Sequence, residues 1–188
     1  MAGRHRPGSV EIMSPSRHLF AVDAAPRSGR TTVVIADEHE PMRRSLRAVL
    51  EGAKRLDVVA EAGNLAATTE QLAAHGPDVL VLDPNIARGS RLELIRDLHE
   101  QMPEMPIVLV SVDDTAGFAQ RCLEAGAHGF VLADHADHEL AEAVDVAADG
   151  DSYVSASVAK RLAQNGRPPT ASGPERARPG SRAAGWGA

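Results

Sequence analysis

Short runs of apolar residues recur through the middle of the chain. Five of them occupy residues 33–36, 58–60, 79–82, 107–110 and 130–132. The first, third and fourth contain no polar residue and are rich in β-branched side chains. Continuous runs of this kind are typical of strands that are buried on both faces, as in a parallel sheet.

Apolar residues with helical spacing follow each run. In the first such segment Pro41 suits a first helical turn, and we expect Asn64 to cap the second helix and Gly76 to end it. Asp114 is the predicted cap of the fourth helix. The apolar stripes of the first, third and fifth helices are Met42, Leu46, Val49 and Leu50; Leu94, Ile95, Leu98 and Met102; and Leu140, Val144 and Ala147.

This alternation gives five successive strand–helix units. It predicts an α/β fold with right-handed crossovers, in which helices cover both faces of a doubly wound sheet. The expected form is a flavodoxin-like, five-stranded parallel sheet with strand order 2-1-3-4-5. We assign residues 31–152 to this domain and residues 153–165 to a short C-terminal helix.

Charge is distributed unevenly along the chain. Residues 31–159 carry 9 Lys or Arg and 23 Asp or Glu, whereas residues 1–30 and 160–188 are basic. We expect residues 1–30 and 166–188, rich in Gly, Pro, Ser, Arg and Ala, to be disordered tails. An acidic body is repelled by phosphate backbones, so we expect no sequence-specific binding of nucleic acid.

Other features narrow the class of protein further. No apolar run approaches the length of about 20 residues that a membrane span needs, and the first thirty residues lack the apolar segment of a secretory signal. Cys122 is the single cysteine of the chain and excludes an internal disulfide. We therefore expect a cytoplasmic protein that is not associated with a membrane.

Acidic residues directly follow two strands that the predicted order places side by side. Asp37 and Glu38 follow the first strand, and Asp83 follows the third. Ligands of open parallel sheets bind beyond the carboxyl ends of the strands. Carboxylates that meet there repel one another and favour a cation, and oxygen ligands suit Mg²⁺. A hydroxyl, Ser111, follows the fourth strand.

These segments resemble the receiver domain of response regulators in two-component signalling. The matching stretches read VVIADEHEPMRRSLRAVL, PDVLVLD, PIVLVS and EAGAHGFVLA. Together with the continuation GDSYVSASVAKRL, they look closest to the subfamily that has a LuxR-type helix-turn-helix output domain. The resemblance covers residues 31–153 and implies a non-enzymatic phosphoprotein that takes part in a phosphorelay and in transcription regulation.

The resemblance also implies roles for particular residues. Asp83 would accept a phosphoryl group from a histidine kinase, Ser111 would contact that group, and Phe130 would be the switch aromatic, although simple core packing is an equal alternative for Phe130. Asp37, Glu38, Asp83 and the carbonyl of Asn85 would bind Mg²⁺. The face formed by helix 4, strand 5 and helix 5 would serve for partner binding, including a homodimer.

Three positions depart from the family pattern. Ala133 stands where the family has a Lys that pairs with the phosphoryl oxygens, and Pro84 follows the acceptor directly and removes an N–H. The loop after the acceptor, residues 86–91, is also unusual, and its Arg88 and Arg91 are candidate replacement cations. We expect slow phosphorylation and weakened switching.

Alternative functions remain open at this point. The chain could be a pseudo-receiver that acts without phosphorylation, or a truncated relative of a DNA-binding regulator, because residues 164–188 show no pattern for a helix-turn-helix. A phosphatase of the haloacid-dehalogenase type needs a second Asp where Asn85 stands, and a flavin phosphate would be repelled by Asp37 and Glu38.

Overall fold

The computed structural model describes residues 29–164. The two predicted tails therefore lie outside the described residues, apart from Gly29 and Arg30. Within this range the strands are β1 (Thr31–Ala36), β2 (Leu56–Ala62), β3 (Val79–Leu82), β4 (Ile107–Ser111), β5 (Gly129–Leu132) and β6 (Tyr153–Val154). The helices are α1 (Glu40–Gly52), α2 (Leu65–His75), α3 (Arg91–Gln101), α4 (Ala116–Glu124), α5 (Ala136–Ala148) and α6 (Ala156–Gln164).

All the strands pair in parallel in one sheet of order β2-β1-β3-β4-β5-β6. The α/β class and the order of the first five strands are confirmed, but the prediction of a five-stranded sheet is wrong. A sixth strand, β6, pairs with β5 through Gly129 opposite Tyr153 and Phe130 opposite Val154. Two residues are too few to form a recognisable apolar run, which is why residues 153 and 154 were predicted as part of the C-terminal helix.

The two faces of the sheet bury separate apolar cores. Alternate residues of a strand point to opposite faces, so Val34 and Ala36 of β1 pack with α2, α3, α4 and α6, whereas Val33 and Ile35 pack with α1 and α5. The strand residues 33–36, 79–82 and 107–110 are all buried. This explains why these runs contain no polar positions.

Helix ends largely follow the local signals. The Asn64 side chain accepts a hydrogen bond from the Ala67 N–H, and Gly76 ends α2 in the left-handed conformation with φ of 50°. Both predictions for this helix are confirmed. The cap of α4 is Thr115 and not Asp114, because the carboxylate of Asp113 accepts hydrogen bonds from the N–H and hydroxyl of Thr115 and starts the helix one residue later.

The segment after α5 packs back onto the domain. Val158 and Leu162 of α6 are buried in the same core as Phe118 of α4. Arg161 donates a hydrogen bond to the Asp114 carboxylate at 2.6 Å. Across residues 29–164, no helix is long and apolar enough to cross a membrane.

Candidate phosphoacceptor site

The carboxyl ends of β1 and β3 lie side by side at one edge of the sheet. Ala36 pairs with Leu82 in the register of these strands, and the next backbone N–H, that of Asp83, donates to the carbonyl of Ala36 at 2.8 Å. Asp37 and Asp83 follow directly. The structure thus brings these two predicted acidic residues together.

Asp37 is almost completely buried, with 3% of its surface exposed. One carboxylate oxygen accepts a hydrogen bond from the His39 N–H at 2.7 Å, and the backbone carbonyl of Asp37 accepts one from Arg43 at 2.7 Å. Burial raises the pKa of the Asp37 carboxyl, and the negative charge of Asp83 raises it further. Ionised Asp37 therefore sits in surroundings that favour a nearby cation.

Asp83 is half-buried and opens a 3-10 turn over Pro84–Ile86. Its Oδ1 accepts hydrogen bonds from the backbone N–H and the side-chain amide of Asn85, both at 2.9 Å. Burial raises the pKa of Asp83, and the charge of Glu38 adds to this effect. Among the described residues, no donor bonds to Oδ2, which leaves this oxygen available for chemistry.

The local backbone accommodates Pro84, although Pro84 supplies no N–H beside Asp83. It occupies the first position of the 3-10 turn, where a missing N–H breaks no hydrogen bond of the turn. The backbone N–H of Asn85 donates to Oδ1 of Asp83. The side chain of Asn85 is exposed apart from this contact.

Ser111 ends β4, the neighbour of β3 on the side away from β1. It is 1% exposed, and its hydroxyl oxygen accepts a hydrogen bond from the Asp113 N–H at 3.1 Å. The hydroxyl is thus tied to the loop that leads into α4. A ligand that draws this hydroxyl away would break its hydrogen bond with the Asp113 N–H and so change the loop that precedes α4.

Phe130 lies in β5 and is completely buried. Its ring meets that of Phe118 edge to face, with centroids 6.0 Å apart and planes at 79°. The guanidinium of Arg91 lies over the other ring of this pair, 4.0 Å from the centroid of Phe118. This stack of Arg91, Phe118 and Phe130 was not foreseen, because the three residues come from different elements.

Ala133 follows β5 immediately and has no polar group to offer. Its predecessor Leu132 pairs with Ser111, which places Ala133 at the same edge as the acidic residues. Two strand spacings of about 4.8 Å each separate β3 from β5. A methyl group cannot bridge that distance, whereas a long cationic side chain can.

The predicted Mg²⁺ ligands converge only in part. Glu38 is exposed but close enough for its charge to raise the pKa of Asp83. The described residues contain no group of three or more His, Cys, Asp or Glu side chains arranged to hold a metal ion. The donors that do meet, Asp37 and Asp83, nevertheless fit Mg²⁺ in kind. Both are carboxylates whose pKa is raised, and Mg²⁺ is held in proteins by one or two carboxylates and water.

Comparison with known proteins agrees with this geometry. The family model described as the response regulator receiver domain matches residues 33–145, more than half of the chain. The chain therefore belongs to the receiver domain family of response regulators, and it is a receiver of the two-component type.

Individual relatives point the same way. The chain is 35% identical over 130 residues to the DNA-binding transcriptional activator DevR/DosR of Mycobacterium tuberculosis, covering 69% of this chain and 60% of that protein. It is 28% identical to the transcriptional regulatory protein DegU of Brevibacillus brevis, covering 69% of this chain and 55% of that one. The chain thus spans less than two thirds of the length of these relatives.

A solved structure gives the same fold. The signal receiver domain of the response regulator NarL from Mycobacterium tuberculosis superposes with a TM-score of 0.59 at 29% identity. The match covers 64% of this chain and 98% of that one. The edge of the sheet that carries Asp37 and Asp83 is therefore part of a receiver fold.

Proposed function

We propose that this receiver accepts a phosphoryl group on Asp83 from a histidine kinase and acts as a non-enzymatic signalling protein. The observation that carries the proposal is the position of Asp83. It directly follows the central strand β3, lies beside buried Asp37, and presents Oδ2 without a hydrogen-bond partner in the described part of the chain.

The chemistry of the transfer follows from this arrangement. Oδ2 of ionised Asp83 attacks the phosphorus of a phosphohistidine. The P–N bond to the imidazole breaks as the new P–O bond forms, and the imidazole leaves with the electron pair and takes up a proton. Asn85 holds the other oxygen of Asp83 through two hydrogen bonds at 2.9 Å, which fixes the direction in which Oδ2 points.

Charge is the main obstacle to this transfer, because a phosphoryl group adds about two negative charges beside Asp37 and Glu38. Bound Mg²⁺ would neutralise part of that charge. Asp37, Glu38, Asp83 and the carbonyl of Asn85 are the residues proposed to hold it. Buried Asp37 would be fixed in place by the N–H of His39.

Read-out of the phosphoryl group is proposed to use Ser111 and Phe130. Because the Ser111 hydroxyl already accepts the N–H of Asp113, turning toward a phosphoryl oxygen would change the loop before α4. Phe130 packs edge to face on Phe118 of α4. A shift of α4 would therefore move the packing partner of Phe130, as expected for a switch aromatic.

The test is labelling of the full chain with ³²P-acetyl phosphate, with and without Mg²⁺. We expect Mg²⁺-dependent incorporation that disappears in Asp83→Asn. Asp97→Asn is the matched control, since Asp97 is an exposed carboxylate on α3, and it should label like the wild type. Equal labelling of wild type and Asp83→Asn contradicts the proposal.

A second function is favoured by one observation, the absence of a cationic side chain at Ala133. It is a pseudo-receiver that binds its partners without phosphorylation. In that case the wild type incorporates no label at Asp83, and Asp83→Asn leaves partner binding unchanged. The same labelling experiment therefore separates the two functions.

A further inference from the structure

Arg91 lies where α3, α4 and the loop before α4 meet. It is the first residue of α3, and its guanidinium lies 4.0 Å from the ring centroid of Phe118 in α4. A guanidinium nitrogen also lies 3.6 Å from the carboxylate of Asp113. The N–H of Asp113 in turn donates to the Ser111 hydroxyl at 3.1 Å. Since Ser111 ends β4, the strand that pairs with β3, these contacts place Arg91 at the edge of the sheet that carries Asp83.

The site needs a cation near Asp83. A phosphoryl group would bring about two negative charges to a place where Asp37 is buried and Glu38 already acts on Asp83. Ala133 offers no charge. A guanidinium binds phosphate oxygens through two parallel charge-assisted hydrogen bonds, which makes an Arg suited to the task.

Other cations near the site are less suitable. Arg43 donates to the carbonyl of Asp37 at 2.7 Å and lies 3.5 Å from the carboxylate of Glu61. The guanidinium of Arg43 is therefore already held by the residue after β1 and by a residue of β2. Arg88 is exposed in the loop after the 3-10 turn, whereas the side chain of Arg91 is directed to the neighbourhood of Ser111 and α4 by its contacts with Asp113 and Phe118.

We propose that Arg91 is the residue that binds the phosphoryl group on Asp83 and transmits its presence to α4. The inference rests on the proposed phosphorylation of Asp83. In the unphosphorylated protein Arg91 is held by Phe118 and Asp113, and on phosphorylation it turns to the phosphoryl oxygens.

The present contacts of Arg91 suit such an exchange. The separation of 3.6 Å from Asp113 exceeds hydrogen-bond distance, and the side chain of Arg91 is 36% exposed, so solvent weakens this ion pair. A doubly charged phosphoryl group is the stronger partner. Departure of Arg91 uncovers the ring of Phe118 and removes a positive charge from Asp113, whose N–H binds Ser111.

The experiment compares initial rates of labelling by ³²P-acetyl phosphate with Mg²⁺ in the full chain. Arg91→Gln removes the charge, and Arg96→Gln is the control, since Arg96 is an exposed residue of the same helix. We expect Arg91→Gln to be slower by about tenfold or more, equivalent to ~1.4 kcal/mol, and Arg96→Gln to match the wild type. Adding Ala133→Lys to Arg91→Gln should restore most of the rate.

Thermal unfolding of each variant is measured alongside, and the rescue separates a contact with phosphate from a structural role. A slow Arg91→Gln that Ala133→Lys does not restore, or one that is slow and also melts lower, overturns the proposal for Arg91. So does an Arg91→Gln that labels at the wild-type rate while Asp83→Asn does not label. If the wild type labels no more than Asp83→Asn, the phosphorylation of Asp83 is itself wrong and the inference fails with it.

Discussion

The carboxyl groups of Asp37 and Asp83 are harder to ionise in the fold than in the unfolded chain. Burial raises the pKa of both above the ordinary value of 3.8, so the native state binds more protons than the unfolded state in the pH range above 3.8. Their contribution to stability is fully present below the unfolded pKa and is lost as pH rises through the raised values. At neutral pH the ionised pair therefore destabilises the fold.

Removing one of these charges should stabilise the protein. We predict that Asp83→Asn raises the melting temperature at pH 7, by about 2–4 °C for each kcal/mol of relieved free energy. The gain should shrink as the pH falls from 7 to 4, because the raised pKa means that Asp83 of the folded wild type takes up a proton before the unfolded chain does. Differential scanning calorimetry at both pH values measures this, and a lower melting temperature for Asp83→Asn at pH 7 contradicts the account.

At the scale of residues, the sequence indicates the two neighbouring carboxylates, Asp37 and Asp83, more clearly than the cation proposed to act beside them. Asp37 and Asp83 could be proposed because each directly follows an apolar run, and parallel strands end at one edge. The sequence named Arg91 as a candidate together with Arg88 but could not choose between them. The choice depends on the direction of α3 and on the position of Phe118, which are set by tertiary packing.

Ser155 connects the last two elements of the domain to the sheet and to α5. It is completely buried. Its hydroxyl oxygen accepts a hydrogen bond from the Leu132 N–H at 3.0 Å, and its O–H donates to the carboxylate of Glu139. Its own N–H donates to the carbonyl of Phe130 at 2.9 Å. One side chain thus joins β5, α5 and the start of α6.

Ser155→Ala should therefore destabilise the fold by about 1–3 kcal/mol, because it leaves a buried N–H without a partner. Ser157→Ala is the matched control, since the buried Ser157 hydroxyl oxygen has no hydrogen-bond partner within residues 29–164. We expect Ser157→Ala to be neutral or slightly stabilising. Urea unfolding gives both free energies, and equal values for the two variants would show that the hydrogen bonds of Ser155 contribute nothing.

Whether the sequence could predict a strand depended mainly on the length of that strand. The five strands with apolar runs and the caps at Asn64 and Gly76 follow from local residue types. The strand β6 was not predicted, because it has only two residues and depends on pairing with β5. The cap of α4 was predicted one residue too early, at Asp114, because Asp is a good cap by residue type. The hydrogen bonds that Thr115 donates to the Asp113 carboxylate make Thr115 the cap.

In the whole molecule, β6 and α6 cover part of the surface that was predicted to form a homodimer. β6 pairs with the outer edge of β5, and α6 packs on α4 by burying Val158 and Leu162. An unpaired strand edge invites association with another chain. In this structure the C-terminal segment occupies that edge, so a dimer through α4, β5 and α5 requires it to move or uses mainly α5.

Removal of β6 and α6 tests the role of this segment. We predict that a chain ending at residue 152 melts lower and self-associates more strongly than a chain ending at residue 164, because the β5 edge and the apolar side of α4 become exposed. Calorimetry and sedimentation velocity at several protein concentrations measure the two effects. Identical melting and sedimentation of both chains would contradict a structural role for the segment.

The central claim, that Asp83 receives the phosphoryl group, is tested most directly by locating that group in the labelled protein. Borohydride reduces an aspartyl phosphate to homoserine, and trypsin releases Asp83 in the peptide of residues 56–88, together with Asp57 and Asp78. After treatment with acetyl phosphate and Mg²⁺, mass spectrometry should find homoserine at position 83. Homoserine at another Asp, or an unchanged peptide from protein that has taken up label, would contradict the account.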